Sequence, residues 1–271
     1  MKKFLLKPAI SAALLAIIAQ PHTAAAAKVE SGWVLLQRTP IGMYNVFIAK
    51  NKVRIEEAKT HYFIISKAPD WNVYAFRKDH RTICKISPQK WEAEGLFTMN
   101  ERNFVKKVNP KVKPQSRTMD NINYLEYKIP LRQARRFANG KVLNMTAFMS
   151  PETNVKKIYS TETDLLVSPT VSTDPNIARV LGSLFVVPIG AGAPIKFTIK
   201  YDNGAEHNPL LTARIRQAPL QADLFQVPIG YKTVANIQRI TTGYRAGEID
   251  DMINDLGLGN SFGKDKKNKK P

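Results

Sequence analysis

Histidine, cysteine, serine and paired carboxylates are the side chains through which this sequence could do chemistry. Beyond the first 27 residues the histidines are His61, His80 and His207. None belongs to a His-x-x-x-His or His-Glu-x-x-His array, the spacing that sets two imidazoles on one helix face around a metal. His61 opens a strand-like run and the other two flank turns, which predicts surface or edge positions. Cys84 is the single cysteine, so an intramolecular disulfide framework and a cysteine-rich zinc module are excluded. It sits in an alternating run and reads as a buried structural thiol, because activation needs a positioned base or a cationic setting. Ser87-Pro88-Gln89-Lys90 has the Ser-x-x-Lys spacing of a serine nucleophile and its lysine, but no Lys-Thr-Gly follows it. Glu56 and Glu57 are neighbours on a strand, so they face opposite sides and make a poor acid/base pair. No nucleophile elbow, phosphate-binding glycine loop or calcium loop is present. The expectation is a protein that is not an enzyme and carries neither metal nor cofactor, with an envelope hydrolase as the outlying alternative.

Charge is the stronger signal. The 271 residues hold 41 Lys and Arg against 22 Asp and Glu, a net charge of +19. Arg132, Arg135, Arg136 and Lys141 form one basic cluster, and a helical turn would put the three arginines on one side. Lys266 and Lys267 belong to a second, in the tail from Lys264 to Lys270. Both are candidates for docking on phosphate headgroups or anionic glycans, and both also fit a solvated surface or a disordered, solubilising end.

The first 27 residues read as an export signal. Lys2, Lys3 and Lys7 precede an apolar run from Ala9 to Ala19, and Ala24-Ala25-Ala26-Ala27 offers small residues for cleavage. The run is short of the roughly 20 residues that span a bilayer, and no cysteine follows it to accept a lipid. The expectation is a mature chain beginning near Lys28, in the periplasm or outside the cell. Losing three lysines takes the charge from +19 to +16. In that compartment the polyanions are lipid headgroups and envelope glycans, so nucleic acid is not an expected partner.

The elements that must position these residues are mainly strands. Period-two alternation and β-branched or aromatic content mark Val53–Glu57, His61–Ser66, Trp71–Arg77 and Thr82–Ser87, separated by turn residues at Lys50-Asn51-Lys52, Ala68-Pro69-Asp70 and Lys78-Asp79-His80. Strands are expected again near Asn121–Ile129, Val142–Met149 and Val155–Ser160. Pro194–Tyr201, the turn Asp202-Asn203-Gly204 and Glu206–Arg216 predict a hairpin, and Tyr231–Ile240 a final strand. Pro88–Ala93 makes at most a short helical turn. Asp174 is an N-cap with Pro175 after it, and Ile177, Val180, Leu181, Leu184 and Phe185 then fall at helical spacing. A short acidic helix is expected at Glu248–Leu256. The whole reads as a signal peptide (1–27), one β domain (28–262) and a basic tail (263–271).

An early Gly32-Trp33, the strand at Asn51–Glu56, the aromatic run Trp71-Asn72-Val73-Tyr74, the opening Pro194-Ile195-Lys196-Phe197 and the stretch Ala222-Asp223-Leu224-Phe225-Gln226-Val227-Pro228-Ile229-Gly230-Tyr231 occur in this order. In this layout the chain resembles secreted domains of unknown function related to the LolA-like periplasmic lipoprotein carriers. The likeness lies in scattered short motifs over about residues 29–240. It implies a curved antiparallel sheet, an incomplete β-barrel, with a helix over its apolar concave face and acyl chains as cargo. On that reading Phe63, Ile65, Trp71, Val73, Phe197 and Ile199 are groove candidates, and Ile177, Val180, Leu181, Leu184 and Phe185 line a lid helix. The expected partner is a lipid or lipidated protein. The alternative is a basic structural or interaction protein docked on an anionic envelope surface.

Overall fold

The computed structural model describes residues 29–40, 42–96, 107–130, 160–202 and 204–241. The signal segment, both basic clusters, the strand expected at Val142–Met149 and the helix expected at Glu248–Leu256 lie outside the described residues.

Alternation in the sequence becomes one twelve-stranded sheet. The first six strands are an up-and-down meander: β1 (Val29–Thr39), β2 (Gly42–Ala49), β3 (Lys52–Glu57), β4 (Tyr62–Lys67), β5 (Val73–Arg77) and β6 (Thr82–Ile86). After helix α1 (Pro88–Glu94) come β7 (Gln115–Met119), β8 (Ile122–Pro130) and β9 (Ser160–Ser168). Helix α2 (Pro175–Phe185) leads into β10 (Ala193–Tyr201) and the long β11 (Glu206–Gln221). A 3-10 turn (Ala222–Phe225), β12 (Lys232–Thr233) and the short helix α3 (Gln238–Thr241) complete the described chain. The strand order is β12-β6-β5-β4-β3-β2-β1-β11-β10-β9-β8-β7. Every pairing is antiparallel except β12 with β6, where Lys232 and Thr233 run parallel beside Thr82 and Ile83. The sheet does not close, and β7 and β12 remain its two edges.

The sheet curls. Cys84 of β6 and Tyr124 of β8 stand far apart in the strand order, yet they share one apolar core with α1, α2 and α3. Leu35, Tyr44, Val46, Ile48, Val53, Ile55, Ile64, Val73 and Ala75 point into that core from the inner, concave face. The outer face is partly covered by a strap. From the end of β11 the chain crosses β2, β3 and β4, buries Phe225 against Ala49 and Leu220, and reaches β6 at β12. The Leu-Phe-x-Val-Pro-x-Gly-Tyr stretch singled out above is this strap. Arg54 holds it by donating from Nη1 to the Leu224 carbonyl at 2.7 Å.

Two local features differ from the sequence reading. The stretch Tyr231–Ile240 is not a strand. Two residues pair with β6, after which Asn236 Oδ1 accepts from Gln238 N at 2.9 Å and turns the chain into α3, which buries Ile237 and Ile240 in the core. β7 is not foreseen by sequence pattern, because its five residues are all exposed and carry no apolar alternation. Of the strand expected at Val155–Ser160 only Ser160 lies within the described residues, and it begins β9.

The β1–β11–β10 seam slips register between Leu36 and Gln37 and between Phe197 and Ile199. Slipped backbone leaves carbonyls to be met by side chains. Gln37, wholly buried, donates from Nε2 to the Pro194 carbonyl at 2.8 Å and to Thr212 Oγ1 at 3.1 Å, while Thr212 Oγ1 donates to the Ile195 carbonyl at 2.7 Å. The Gln37→Leu variant should lose about 1–3 kcal/mol, since it strands buried acceptors. Urea unfolding followed by tryptophan fluorescence measures this, and an unchanged midpoint would show that the clip is dispensable.

Candidate functional site

The inner face of the sheet is covered by α2. Asp174 caps the helix, its Oδ1 accepting from Asn176 N at 2.8 Å, with Pro175 at the first helical position. The periodicity then delivers Ile177, Val180, Leu181, Leu184 and Phe185 to the core, all buried. Phe185 meets Tyr44 of β2 edge-to-face at 5.4 Å. At the other end Val180 faces Trp71 and Val73 across a crevice of about 10 Å³, room for one water and too small for an acyl chain. The helix is held mostly by apolar contact. Among the described residues its polar ties include a hydrogen bond from Trp91 Nε1 to the Val180 carbonyl at 3.1 Å and a loose ion pair, 3.7 Å, between Arg179 and Glu92. Such an exposed pair adds little.

Three features weaken the hold of α2. Ser183 Oγ is buried on its packed face and meets no partner among the described residues. Gly182, next to it, is a poor helix former. The exit residue Val186 is left-handed at φ 54°, a conformation costly for a β-branched side chain. The end of α1 is pressed close: Gly95 has φ 53°, and a Cβ there would stand 2.5 Å from the Ser183 carbonyl oxygen. A glycine is required at that contact.

One cluster of polar groups lies at one end of the inner face. Tyr44 and Tyr62 hydroxyls lie 3.1 Å apart, and burial pushes both phenols up from their ordinary range. Buried Glu57 accepts through Oε2 from Lys59 N at 3.0 Å, from Thr60 Oγ1 at 2.6 Å and from Thr60 N. Its carboxylate thus ties the β3–β4 turn. Glu56 points outward to Arg54, the opposite-side arrangement expected of neighbours on a strand.

The groove candidates divide between the two faces. Val73, Phe197 and Ile199 belong to the inner face, and Trp71 sits at its rim. Phe63 and Ile65 lie on the outer face, because β4 turns Tyr62 and Ile64 inward and register pairs Phe63 with Phe76 and Ile65 with Tyr74. Both parities of β4 are apolar, so alternation alone does not tell which faces in. All five lid residues come together on α2. Arg132, Arg135, Arg136, Lys141, Lys266 and Lys267 lie outside the described residues.

The remaining chemical candidates have plain roles. Ser87 caps α1 by accepting from Lys90 N at 3.3 Å. Cys84 is buried, and burial raises its thiol above the ordinary range. His61 and His207 are exposed, and half-buried His80 lies 3.5 Å from Asp79. Among the described residues no three His, Cys, Asp or Glu side chains gather as a metal site would need.

The outer face carries a feature that sequence reading missed. Cations lie over aromatic rings: Lys52 over Phe225 at 5.0 Å, Arg54 and Lys78 over Phe63 at 4.9 and 4.7 Å, Lys85 over Tyr74 at 5.6 Å and Arg81 over Tyr231 at 5.9 Å. Phe63 stacks on Phe76 at 5.2 Å, and Phe76 meets Tyr231. The parity of Arg54, Tyr74, Phe76 and Lys85 on neighbouring strands was the available signal.

Fold and site together define a mainly β protein, an open curved antiparallel sheet whose concave face is filled by helices. A solved structure similar to it is an uncharacterized conserved protein from Thermus thermophilus, 9% identical, covering 78% of this chain and 92% of that one with a TM-score of 0.36. At that score the likeness carries no argument. No protein-family model matches the chain, and no curated protein matches it.

Asp79 gives a pH test of the β5–β6 turn. Its carboxylate accepts from Arg77 Nε at 3.0 Å and Nη2 at 2.6 Å, and these bonds hold its pKa at about 2, below the ordinary 3.8. A lowered folded-state pKa contributes stability that is present above about pH 4 and fades as pH falls toward 2. The carboxylate is half exposed, so the contribution is small. The stability difference between wild type and Asp79→Asn, from urea unfolding at several pH values, should be constant near neutrality and shrink from pH 4 downward. A difference independent of pH over that range would rule the pair out as its source.

Proposed function

We propose that this is an exported, non-enzymatic binding protein that takes a lipid, an acyl chain or a lipidated partner against its concave face, the ligand exchanging with α2. The observation that carries the reading is an apolar helix, held by little besides packing, over a continuous apolar trough. Displacing α2 would uncover the part of the core it packs on, including Tyr44, Val73 and the inner side of β10. Acyl carbons could replace its side chains on that surface, at roughly 0.8 kcal/mol per methylene. The Ser183 hydroxyl, which has no partner among the described residues, Gly182 and the left-handed Val186 favour a helix that leaves its seat at modest cost. The resemblance of the strap and strand motifs to LolA-like carriers points the same way. Export rests on the N-terminal segment, with its lysines, apolar run and alanines.

A fluorescent fatty acid should bind saturably, with affinity little changed between low and high salt, and organic extracts of the purified protein should yield lipid by mass spectrometry. Failure of both would end the carrier reading. A sharper test uses Ser183→Ala, which removes a buried hydroxyl with no partner among the described residues and should stabilise the seated helix by about 1 kcal/mol. Binding that requires α2 to leave must then weaken about fivefold. Higher stability with unchanged affinity would show that ligand binds without moving the helix.

A further inference from the structure

We propose that the turn at Ile229, with the cations around it, is a docking surface for a membrane bearing anionic headgroups. Ile229 is 94% exposed, the most exposed of the large apolar side chains among the described residues. It stands at the outer end of the strap, where Gly230 turns the chain at φ 75° into Tyr231 and β12. Nothing in the packing of the sheet requires an isoleucine there. The cations beside it are fixed by the backbone. Lys232 N donates to the Arg81 carbonyl at 2.8 Å, Arg81 lies over the Tyr231 ring, and a Cβ on Gly230 would be 3.9 Å from Arg81 Nη2. Lys78 shares the β5–β6 turn with Arg81, and Lys85 lies further along the outer face of β6. Lys78, Arg81, Lys85 and Lys232 are all exposed.

Acidic groups nearby do not cancel this charge. Asp79 is taken by Arg77 and faces His80, Glu56 is taken by Arg54, and Asp223 lies at the opposite end of the strap. One protruding apolar side chain ringed by cations, with tyrosine rings just beneath, matches the boundary between acyl chains and headgroups. The charged groups of Lys78, Lys85 and Arg81 rest over aromatic rings on one side, and because all three side chains are exposed their other side can meet phosphate. A soluble polyanion would use the cations and leave Ile229 in water; a bilayer uses both. The docking surface stands whether or not the inner face takes a ligand.

The test reads position 229 itself, since other cations of the full-length chain can also draw it to a charged surface. Cys84 is buried, so Ile229→Cys can be labelled selectively with a polarity-sensitive nitrobenzoxadiazole dye, and Glu206→Cys, exposed at the start of β11, serves as the control. With phosphatidylglycerol vesicles the dye at 229 should brighten and shift to the blue. The dye at 206 should not change, and neither should respond to phosphatidylcholine vesicles or to dextran sulfate. In co-sedimentation, Ile229→Asp and the double variant Arg81→Glu/Lys232→Glu should each lower vesicle binding about tenfold. Co-sedimentation with an unchanged signal at 229 would overturn the proposal, as would equal brightening with dextran sulfate or full vesicle binding by Ile229→Asp.

Discussion

A curved sheet that does not close cannot fill its own hollow, and that constraint governs this molecule. In a closed barrel, facing strands meet across the axis. Here the strands from β6 to β8 curl toward one another without joining, and the space between them must be taken by other elements. α2 packs into it against β10 and Tyr44 of β2, α1 packs at its flank, and α3 contributes Ile237 and Ile240. Removing α2 would leave apolar surface on both halves of the sheet without a partner, an outcome water penalises at about 25 cal/mol per Å². The helix therefore supplies a large share of the core while remaining the element that the hydrogen-bonded ladder does not hold.

The outer face solves a different problem. Strands β2 to β6 present aromatic and basic residues there, and the strap from Ala222 to Tyr231 covers only part of them. Phe225 is sunk against Ala49 and Leu220, which anchors the strap at one end. Parallel pairing of Lys232 and Thr233 with β6 anchors the other end and also protects an edge. The opposite edge, β7, is defended by composition: its exposed residues are polar or charged except Met119, and Arg117 pairs with Glu126 of β8 at 2.5 Å. Both unpaired margins are thus poor templates for another strand.

Much of this was legible in the sequence for particular physical reasons. The meander from β3 to β6 follows from alternation broken by turn residues. α2 follows from Asp174, Pro175 and five apolar residues at helical spacing, and the structure places all five in the core. The β10–β11 hairpin follows from its alternating strands and turn composition, with Gly204 left-handed at φ 79°. What failed to show has equally specific causes. Phe63 and Ile65 group with Val73 on sequence because β4 is apolar on both parities, its outer side being covered by a strap from far along the chain. β7 has no apolar pattern because it borders solvent. β12 is two residues long because Asn236 ends it.

The two faces divide the sheet's chemistry by parity. Along β5, Val73 and Ala75 turn inward to the helix-filled hollow, while Tyr74 and Phe76 turn outward beneath Lys85 and Tyr231. A strand cannot slip by one residue without putting aromatic rings into the trough and small apolar residues under the cations. The register of the meander therefore sets the inner surface and the outer charge pattern together. The parallel β12 ties both to one edge, because the hydrogen bonds from Lys232 N to Arg81 O and from Val234 N to Ile83 O fix the Ile229 turn against the strand that carries Cys84 and Ile86 into the core. A perturbation that loosens β6 must therefore act on the packed hollow and the outer cationic surface at once.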